Sequence, residues 1–437
     1  MPEGTIKNTR IVISGIGPLT SIGFGSDELW KSLIAGKTGL IKEEVKIGNE
    51  VVEEFFIHRM NDFNIDDFGL DKKILNDIKQ WKGEEGPTDL YQLMVAAKLA
   101  STDAGLEYIK ERDRIGLFLT HENPGLDHFY SHIVDEFIRI GSQQNLQNNK
   151  SKFFREFFNR FEKVGYELQT FMFLFHISRI LDIHGYSLFI NNACASGLYA
   201  LEAAADAIRS GKCHTAIVAG ADYGSVFKHL WFKSVNVYPE DGLIRPFAKN
   251  CNGFVTGDAA AGLVLETFEN ARKRNANIYA EYLGGGFNLE GWKVTTPDIT
   301  GDSYKKAIIQ AFKRAKIKED EVDLIIPHGV GMTVTDSYEA KSISSIFGKN
   351  TTKPLITALK PYIGHTLGVT TLIESIILLL SLKNNVVLPT LNSEDINPRH
   401  NIQLVKKKTD KDLKIAMKTA CGFAGYNAAA IFRRLDP

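Results

Sequence analysis

Nine short runs of β-branched and aliphatic residues constrain the fold of this chain more than any other feature. In the first half they are Arg10–Gly17 (RIVISGIG), Arg114–Thr120 (RIGLFLT), Thr215–Asp222 (TAIVAGAD) and Ala261–Glu266 (AGLVLE). The second half adds Ile278–Gly286, Val322–Gly329, Leu355–Lys360, Val386–Thr390 and Ile415–Cys421. A near-continuous apolar run, as opposed to an alternating one, marks a strand buried on both faces, and helices must then cover the sheet on both sides. Helical patterns follow these runs in both halves. The expectation is therefore an α/β chain built as a duplicated α/β/α/β/α sandwich, with two unrelated α/β domains as the alternative.

The halves are placed at residues 1–269 and 270–437, with the polar, basic stretch Asn270–Asn277 as the link. Insertions are expected near residues 49–86 and 121–170. The first reads as an irregular, charged surface excursion from Asn49 to Gly86, and Gln143–Lys152 as an amide-rich loop. Beyond it, Phe153, Phe157 and Phe161, flanked by Phe154 and Phe158, oppose Arg155, Glu156, Asn159 and Arg160. That spacing predicts an amphipathic helix whose apolar stripe is core or subunit interface.

Lys plus Arg and Asp plus Glu both number 52, so no net field draws nucleic acid or an anionic membrane. The run Lys406–Lys408 is answered by Asp410 and Asp412 and reads as a solvated loop. Four cysteines (Cys194, Cys213, Cys251 and Cys421) lie far apart without metal-like spacing, which fits a reducing compartment. Met1-Pro2-Glu3-Gly4 opens no apolar signal segment, and the apolar run Ile376–Leu380 is too short to cross a bilayer. A cytoplasmic protein is expected.

One cysteine stands apart. In Ser187–Ser196 (SLFINNACAS) an apolar strand runs directly into an alanine-rich helix former, with Cys194 at the junction. A helix start offers free N–H groups and a positive dipole end, both of which favour the reactive thiolate. Cys213 and Cys421 read as inert buried thiols, and Cys251 lies in a polar loop. Two histidines likewise differ from the other nine, which read as structural. His328 closes the apolar run before Gly329, and Asp336 and Glu339 follow it by eight and eleven residues. His365 follows Gly364, five residues after Lys360. Catalytic groups collect at such carboxyl ends of strands. A metal site lacks a third ligand at a characteristic spacing.

Taken in order, these residues resemble the β-ketoacyl-acyl-carrier-protein synthases of the thiolase superfamily. The resemblance runs through RIVISGIGPLTSIGFGSDELWKSLIAGKTGL (Arg10–Leu40), ACASG at Cys194, RPFAKNCNGFVTGDAAAGLVLE (Arg245–Glu266), PHGVGMTVTDSYEA at His328, KPYIGHT at Lys360 and His365, and CGFAGYNAA (Cys421–Ala429). It implies a thiolase-type five-layered fold. It also implies decarboxylative Claisen condensation of a Cys194-bound acyl chain with malonyl-carrier protein, and a homodimer or a heterodimer with a related subunit. Substrates would arrive on the phosphopantetheine of an acyl carrier protein, with no further cofactor and no metal. In that scheme His328 and His365 stabilise the enolate, and Lys360 organises the site with Glu339 as its ionic partner and Asp336 in support. Phe423 is the gate, its N–H sharing the oxyanion hole with that of Cys194. Phe254, Thr333, Thr366, Gly422 and Asn427 contact substrate, and Phe171, Phe173 and Phe175 join Phe254 in setting pocket depth.

The chain departs from the family pattern where Val330 and Met332 replace threonines that usually hold the pantetheine amides. Thr333 or Thr335 is the candidate substitute. Val369, Thr370 and Thr371 are bulkier than usual after GHT, and Ala424 replaces a glycine. These changes point to a specialised pathway in fatty acid or polyketide synthesis. The alternatives are an acyltransferase forming an ester or amide, a thiolase-like degradative enzyme, and a non-catalytic chain-length partner, which retention of Cys194 disfavours.

Overall fold

The computed structural model describes residues 9–47, 50–82, 88–141, 151–152, 154–155, 158, 169–348 and 354–435. The strands in chain order are β1 Ile11–Thr20, β2 Gly23–Phe24, β3 Leu40–Ile47, β4 Glu50–His58, β5 Ile115–Thr120, β6 Ser187–Ile190, β7 Thr215–Asp222 and β8 Ala259–Thr267. They continue with β9 Ala280–Leu289, β10 Leu324–Ile326, β11 Leu355–Ile356, β12 Val386–Val387, β13 Thr409–Asp410, β14 Ile415–Cys421 and β15 Tyr426–Arg433.

The principal sheet runs β11-β10-β14-β15-β9-β1-β8-β7-β5-β6, with β2 paired to β1. Reading outward from the β1–β9 contact, each half repeats the same order of pairings. β1 is antiparallel to β8, β8 antiparallel to β7, β7 parallel to β5, and β5 parallel to β6. Correspondingly, β9 is antiparallel to β15, β15 antiparallel to β14, β14 parallel to β10, and β10 parallel to β11. Two unrelated domains would not share this topology, so the duplicated reading holds.

Two helices, Ser196–Arg209 and Thr370–Asn384, pack against each other and against strands of both halves, forming the middle layer. Helix Thr88–Asp103 covers the first half-sheet from outside, and Asp302–Ala315 covers the second. Five layers result, with one apolar cluster at the centre and another under each outer layer. The middle helices approach closely at Gly197, where an added Cβ would stand 2.6 Å from Thr371 Oγ1. Helix Thr370–Asn384 is buried from Thr370 to Leu382, as a helix surrounded by two sheets must be. With its preceding turn (Leu367–Asn384) it is long and apolar enough to span a membrane, yet 89% of that stretch lies inside the molecule.

Three expectations need correction. The stretch from Asn49 is not an irregular excursion: β4 pairs with β3 as a hairpin, and helix Lys72–Lys82 follows. Phe55, Ile57, Met60, Ile65, Leu70, Leu75 and Ile78 are all buried there, while exposed charges on the hairpin conceal the pattern. The strand expected over Leu355–Lys360 stops at Ile356, and Lys360 instead opens a one-turn helix, Lys360–Ile363. Among the described residues β12 pairs with β13, outside the principal sheet. The helix expected around Phe153, Phe157 and Phe161 falls largely outside the described residues, as does most of the loop expected from Gln143. Of its residues, Phe154 and Phe158 are exposed and stack on each other.

Candidate active site

Cys194 follows β6 in a tight turn that leads into helix Ser196–Arg209. Ser196 ties the turn together: its hydroxyl donates to Ala193 O (2.5 Å) and accepts from Asn192 N–H (2.7 Å). Ala193 is held at φ 49°, a left-handed conformation costing about 1–2 kcal/mol for a residue with a Cβ. Strain of this kind persists where the surroundings fix a functional group. The bulky Thr371 has a place here, because its hydroxyl accepts the Leu198 N–H of the helix's first turn at 3.1 Å.

The thiol is 5% exposed. Burial pushes its pKa well above the usual 9, and the facing Glu122 carboxyl pushes it further, against the ammonium of Lys360 and the backbone N–H groups of Phe423 and Cys194. Desolvation thus outweighs the favourable helix start. At Cys194 burial favours the thiol over the thiolate that the sequence suggested.

His328 sits in the loop after β10. Glu339 accepts the N–H groups of His328 (2.8 Å) and Gly329 (2.7 Å) and the Tyr304 hydroxyl (2.6 Å). Asp336 accepts from Val330 N and Gly331 N, each at 3.2 Å, and from Phe247 N at 2.6 Å. These two carboxyls shape the histidine loop, and burial raises both, Asp336 to about 7.

The expected Lys360–Glu339 pair does not form, because Glu339 is committed to the loop. Lys360 Nζ instead donates to His328 O (2.5 Å) and to Glu374 Oε1 (3.0 Å). Lys418 Nζ stands 2.6 Å from the other oxygen of Glu374 and donates to Pro327 O at 2.9 Å. Two ammoniums therefore share one carboxylate, and all three side chains are at most 1% exposed.

His365 Nδ1 accepts the Leu367 N–H at 2.9 Å, which places the ring proton on Nε2. The rings of His328 and His365 lie 5.2 Å apart, nearly perpendicular. Burial, followed by the charge of Lys360, holds both well below the ordinary histidine pKa, so both are neutral. The Cys194 sulfur and a ring nitrogen of each histidine lie within 4.8 Å of one another. The structure thus brings together the three residues that the sequence singled out. The ammoniums of Lys360 and Lys418 behind it oppose a cation, and its donors suit an oxygen that gains negative charge.

These atoms face a cavity of about 660 Å³ whose walls include Leu126, Tyr130, Phe227, Trp231, Phe232 and Phe254. Gly422, Phe423 and Asn427 also line it. Phe423 packs against Trp231 and Phe232 with ring centroids 5.9 and 6.4 Å away, and the adjoining Ala424 is held at φ 59°.

Two expected substrate contacts are displaced. Thr333 turns to Cys251, donating to its carbonyl at 3.1 Å, and Thr366 is buried away from the cavity. Thr335 reaches the wall, as do Val330 and Met332. Of the depth-setting phenylalanines only Phe254 lines the cavity: Phe173 is in the outer core, and Phe171 and Phe175 are exposed. Cys421, expected to be inert core, borders the cavity. Glu122, Glu374 and Lys418 were missed altogether.

Comparison with known proteins agrees with this geometry. Residues 8–271 match the family model described as beta-ketoacyl synthase, N-terminal domain, and residues 279–394 match its C-terminal domain. The chain is 28% identical over 442 residues to the 3-oxoacyl-[acyl-carrier-protein] synthase 2 of Staphylococcus aureus (strain COL), covering 98% of this chain and 99% of that one. Among solved structures, the ishigamide ketosynthase/chain length factor superposes with a TM-score of 0.83 at 24% identity, over 98% of this chain and 100% of the other. A type II PKS acyl-carrier protein in complex with its ketosynthase bound to the hexaketide gives 0.76 at 22% identity, with the same coverage. The structures share the fold, and the family models span both halves: the chain belongs to the beta-ketoacyl synthase family, acyl-transferring condensing enzymes of the thiolase superfamily.

Proposed function

We propose that this ketosynthase joins a Cys194-bound acyl chain to a carrier-bound malonyl unit by decarboxylative Claisen condensation. One observation carries the reading: the Cys194 sulfur and the ring nitrogens of His328 and His365 converge within 4.8 Å at an aromatic-walled cavity. Cys194 attacks an acyl thioester and stores the chain, dividing a hard reaction into two easier ones. The N–H groups of Cys194 and Phe423 receive the oxyanion. A malonyl thioester then loses carbon dioxide, and the neutral histidines, as donors, stabilise the enolate oxygen. The enolate carbon attacks the acyl carbon and expels the Cys194 sulfur.

Lys360 acts through His328, whose carbonyl it holds, and burial, reinforced by the charges of Lys360 and Lys418, keeps both imidazoles neutral. Phe423 gates the cavity on its strained loop. The substrates come on the pantetheine of an acyl carrier protein, in keeping with the neighbouring complex, and the chain pairs with a second copy or with a related subunit. The condensation itself uses no cofactor.

Val330 and Met332 favour one rival, an acyltransferase to oxygen or nitrogen, since they offer the pantetheine arm no hydroxyl from the wall. Carbon dioxide release from malonyl-carrier separates the two. The condensing reading expects release coupled to formation of a β-ketoacyl product, with both lost in His328→Ala. Acylation of Cys194 without any such release refutes it in favour of the rival.

A further inference from the structure

The duplicated topology exposes a group that the proposed mechanism leaves unused. β5 occupies in the first half-sheet the place of β10 in the second. From the end of β10 the chain delivers His328 to the cavity, and from the end of β5 it delivers His121 and Glu122. His121 turns away from the cavity: its Nε2 is 2.8 Å from Asp89 Oδ2, its Nδ1 3.3 Å from Asp222 Oδ1, and its ring edge meets Phe173.

Glu122 faces the cavity and is held there by its backbone. Its N–H points to Asp222 Oδ1 at 3.4 Å, and its carbonyl accepts the Asn191 side-chain amide at 2.9 Å. Gly368 closes the other side, where an added Cβ would lie 3.5 Å from Glu122 Cγ and 2.9 Å from Asp222 Oδ2. So placed, Glu122 Oε1 lies 3.9 Å from Cys194 Sγ, at the long end of a thiol hydrogen bond. Such contacts commonly tighten when substrate binds.

A resting thiol must lose its proton to become acylated. His365 cannot take it on Nε2, which already carries the ring proton, and both histidines are poor bases because burial and Lys360 depress them. Glu122 is the carboxyl whose oxygen meets the sulfur.

We infer that Glu122 is the proton acceptor for Cys194 in the acylation step, a catalytic role beyond the histidines that rests on Cys194 being the acyl acceptor. The Sγ–H bond breaks and its proton passes to Oε1. The new S–C bond forms as the carrier's C–S bond breaks, and the carrier sulfur leaves with the proton returned from Glu122. Nothing is oxidised or reduced, and the carboxylate is regenerated.

The surroundings suit this use. Asp222 at the end of β7 opposes ionisation of Glu122, whereas Lys228 on helix Val226–Ser234 and His121 favour it, with Asp89 behind His121. Burial dominates, and the carboxyl is raised to about 7, close to the pH at which a general base works best.

The test is single-turnover acylation by acyl-carrier between pH 5.5 and 9, followed by intact mass. For the wild type the rate should rise with pH and level off above a midpoint near 7. Glu122→Gln should acylate at least about 100-fold more slowly at pH 8 and lose that midpoint. Glu122→Asp, which retains a carboxylate, should keep a pH-dependent rise with a shifted midpoint. If Glu122→Gln acylates as fast as wild type, or more slowly but with the same midpoint, the inference is overturned. Should Glu122→Gln fail to fold by its thermal melt, Glu122→Asp decides alone: an unchanged rate and midpoint overturn the inference. Failure of the wild type to acylate with any carrier would instead count against the condensing reading itself.

Discussion

Glu374→Gln should be among the most damaging single substitutions in this protein that touch no substrate. Glu374 holds the Lys360 ammonium at 3.0 Å and the Lys418 ammonium at 2.6 Å, with all three groups out of water. With an effective dielectric near 20, Coulomb's law gives each pair about 6 kcal/mol of gross attraction. The net loss is smaller, because both lysines keep carbonyl partners. Lys360 donates to His328 O, and Lys418 to Ile326 O, Pro327 O and Thr419 O. Breaking a buried pair while leaving a charge behind costs roughly 3–5 kcal/mol, and about 4 is expected here. At this chain length that lowers Tm by roughly 4 °C.

Lys418→Met supplies the contrast, since it leaves a one-to-one Lys360–Glu374 pair and should cost less, about 1–3 kcal/mol, for the carbonyl acceptors that lose their donor. Thermal melts followed by circular dichroism at pH 7.5 measure both. A Glu374→Gln melt within 2 °C of wild type, or a Lys418→Met loss just as large, would refute the shared-carboxylate account.

Three further outcomes follow from buried or strained groups. His58 is buried, which lowers its pKa to about 3. Below pH 6.5 the unfolded chain takes up a proton that the folded chain refuses, so the stability this group contributes above 6.5 drains away as pH falls. His58→Gln should reduce the stability lost between pH 6.5 and 4.5 by about 2 kcal/mol, measured by urea titration. Thr371→Val removes one of two acceptors of the Leu198 N–H, which keeps Ala195 O at 3.0 Å, and should cost about 1 kcal/mol or less in the same titration. Ala424→Gly removes the left-handed strain at φ 59° beside Phe423; it should leave Tm unchanged or raise it, and increase hydrogen exchange in the 422–425 loop. A clear fall in Tm would mean that the Ala424 side chain is needed there.

Much of the architecture was legible because β7 and β14 are buried along their whole length and mostly apolar, and a sequence can display that. Cys194 and His328 were legible because each follows a strand at a tight turn, and His365 because it follows Gly364 five residues after Lys360. The hairpin β3–β4 was not, since Glu50 to Glu54 present mostly exposed or half-exposed residues and only its far end is buried. Glu374 was hidden for the opposite reason: it is a lone carboxylate in a helix buried on every side, and only the crossing of β14 brings Lys418 to it. Glu122 follows a histidine that looked structural, and His121 is indeed paired with Asp89 and Asp222. The visible signal was its position at the carboxyl end of β5, where this architecture gathers reactive groups. The thiol's charge state was misjudged because a helix start is readable in sequence and burial is not.

The central claim is that one thioester intermediate on Cys194 feeds carbon–carbon bond formation. It is tested most directly by loading the protein with an isotopically labelled acyl-carrier, locating the adduct by peptide mass, and then adding malonyl-carrier. The account predicts label on Cys194, absent in Cys194→Ala, that moves entirely into a carrier-bound β-ketoacyl product as one carbon dioxide is released per label. Label elsewhere, or label that leaves Cys194 for an oxygen or nitrogen acceptor with no carbon dioxide, would contradict it.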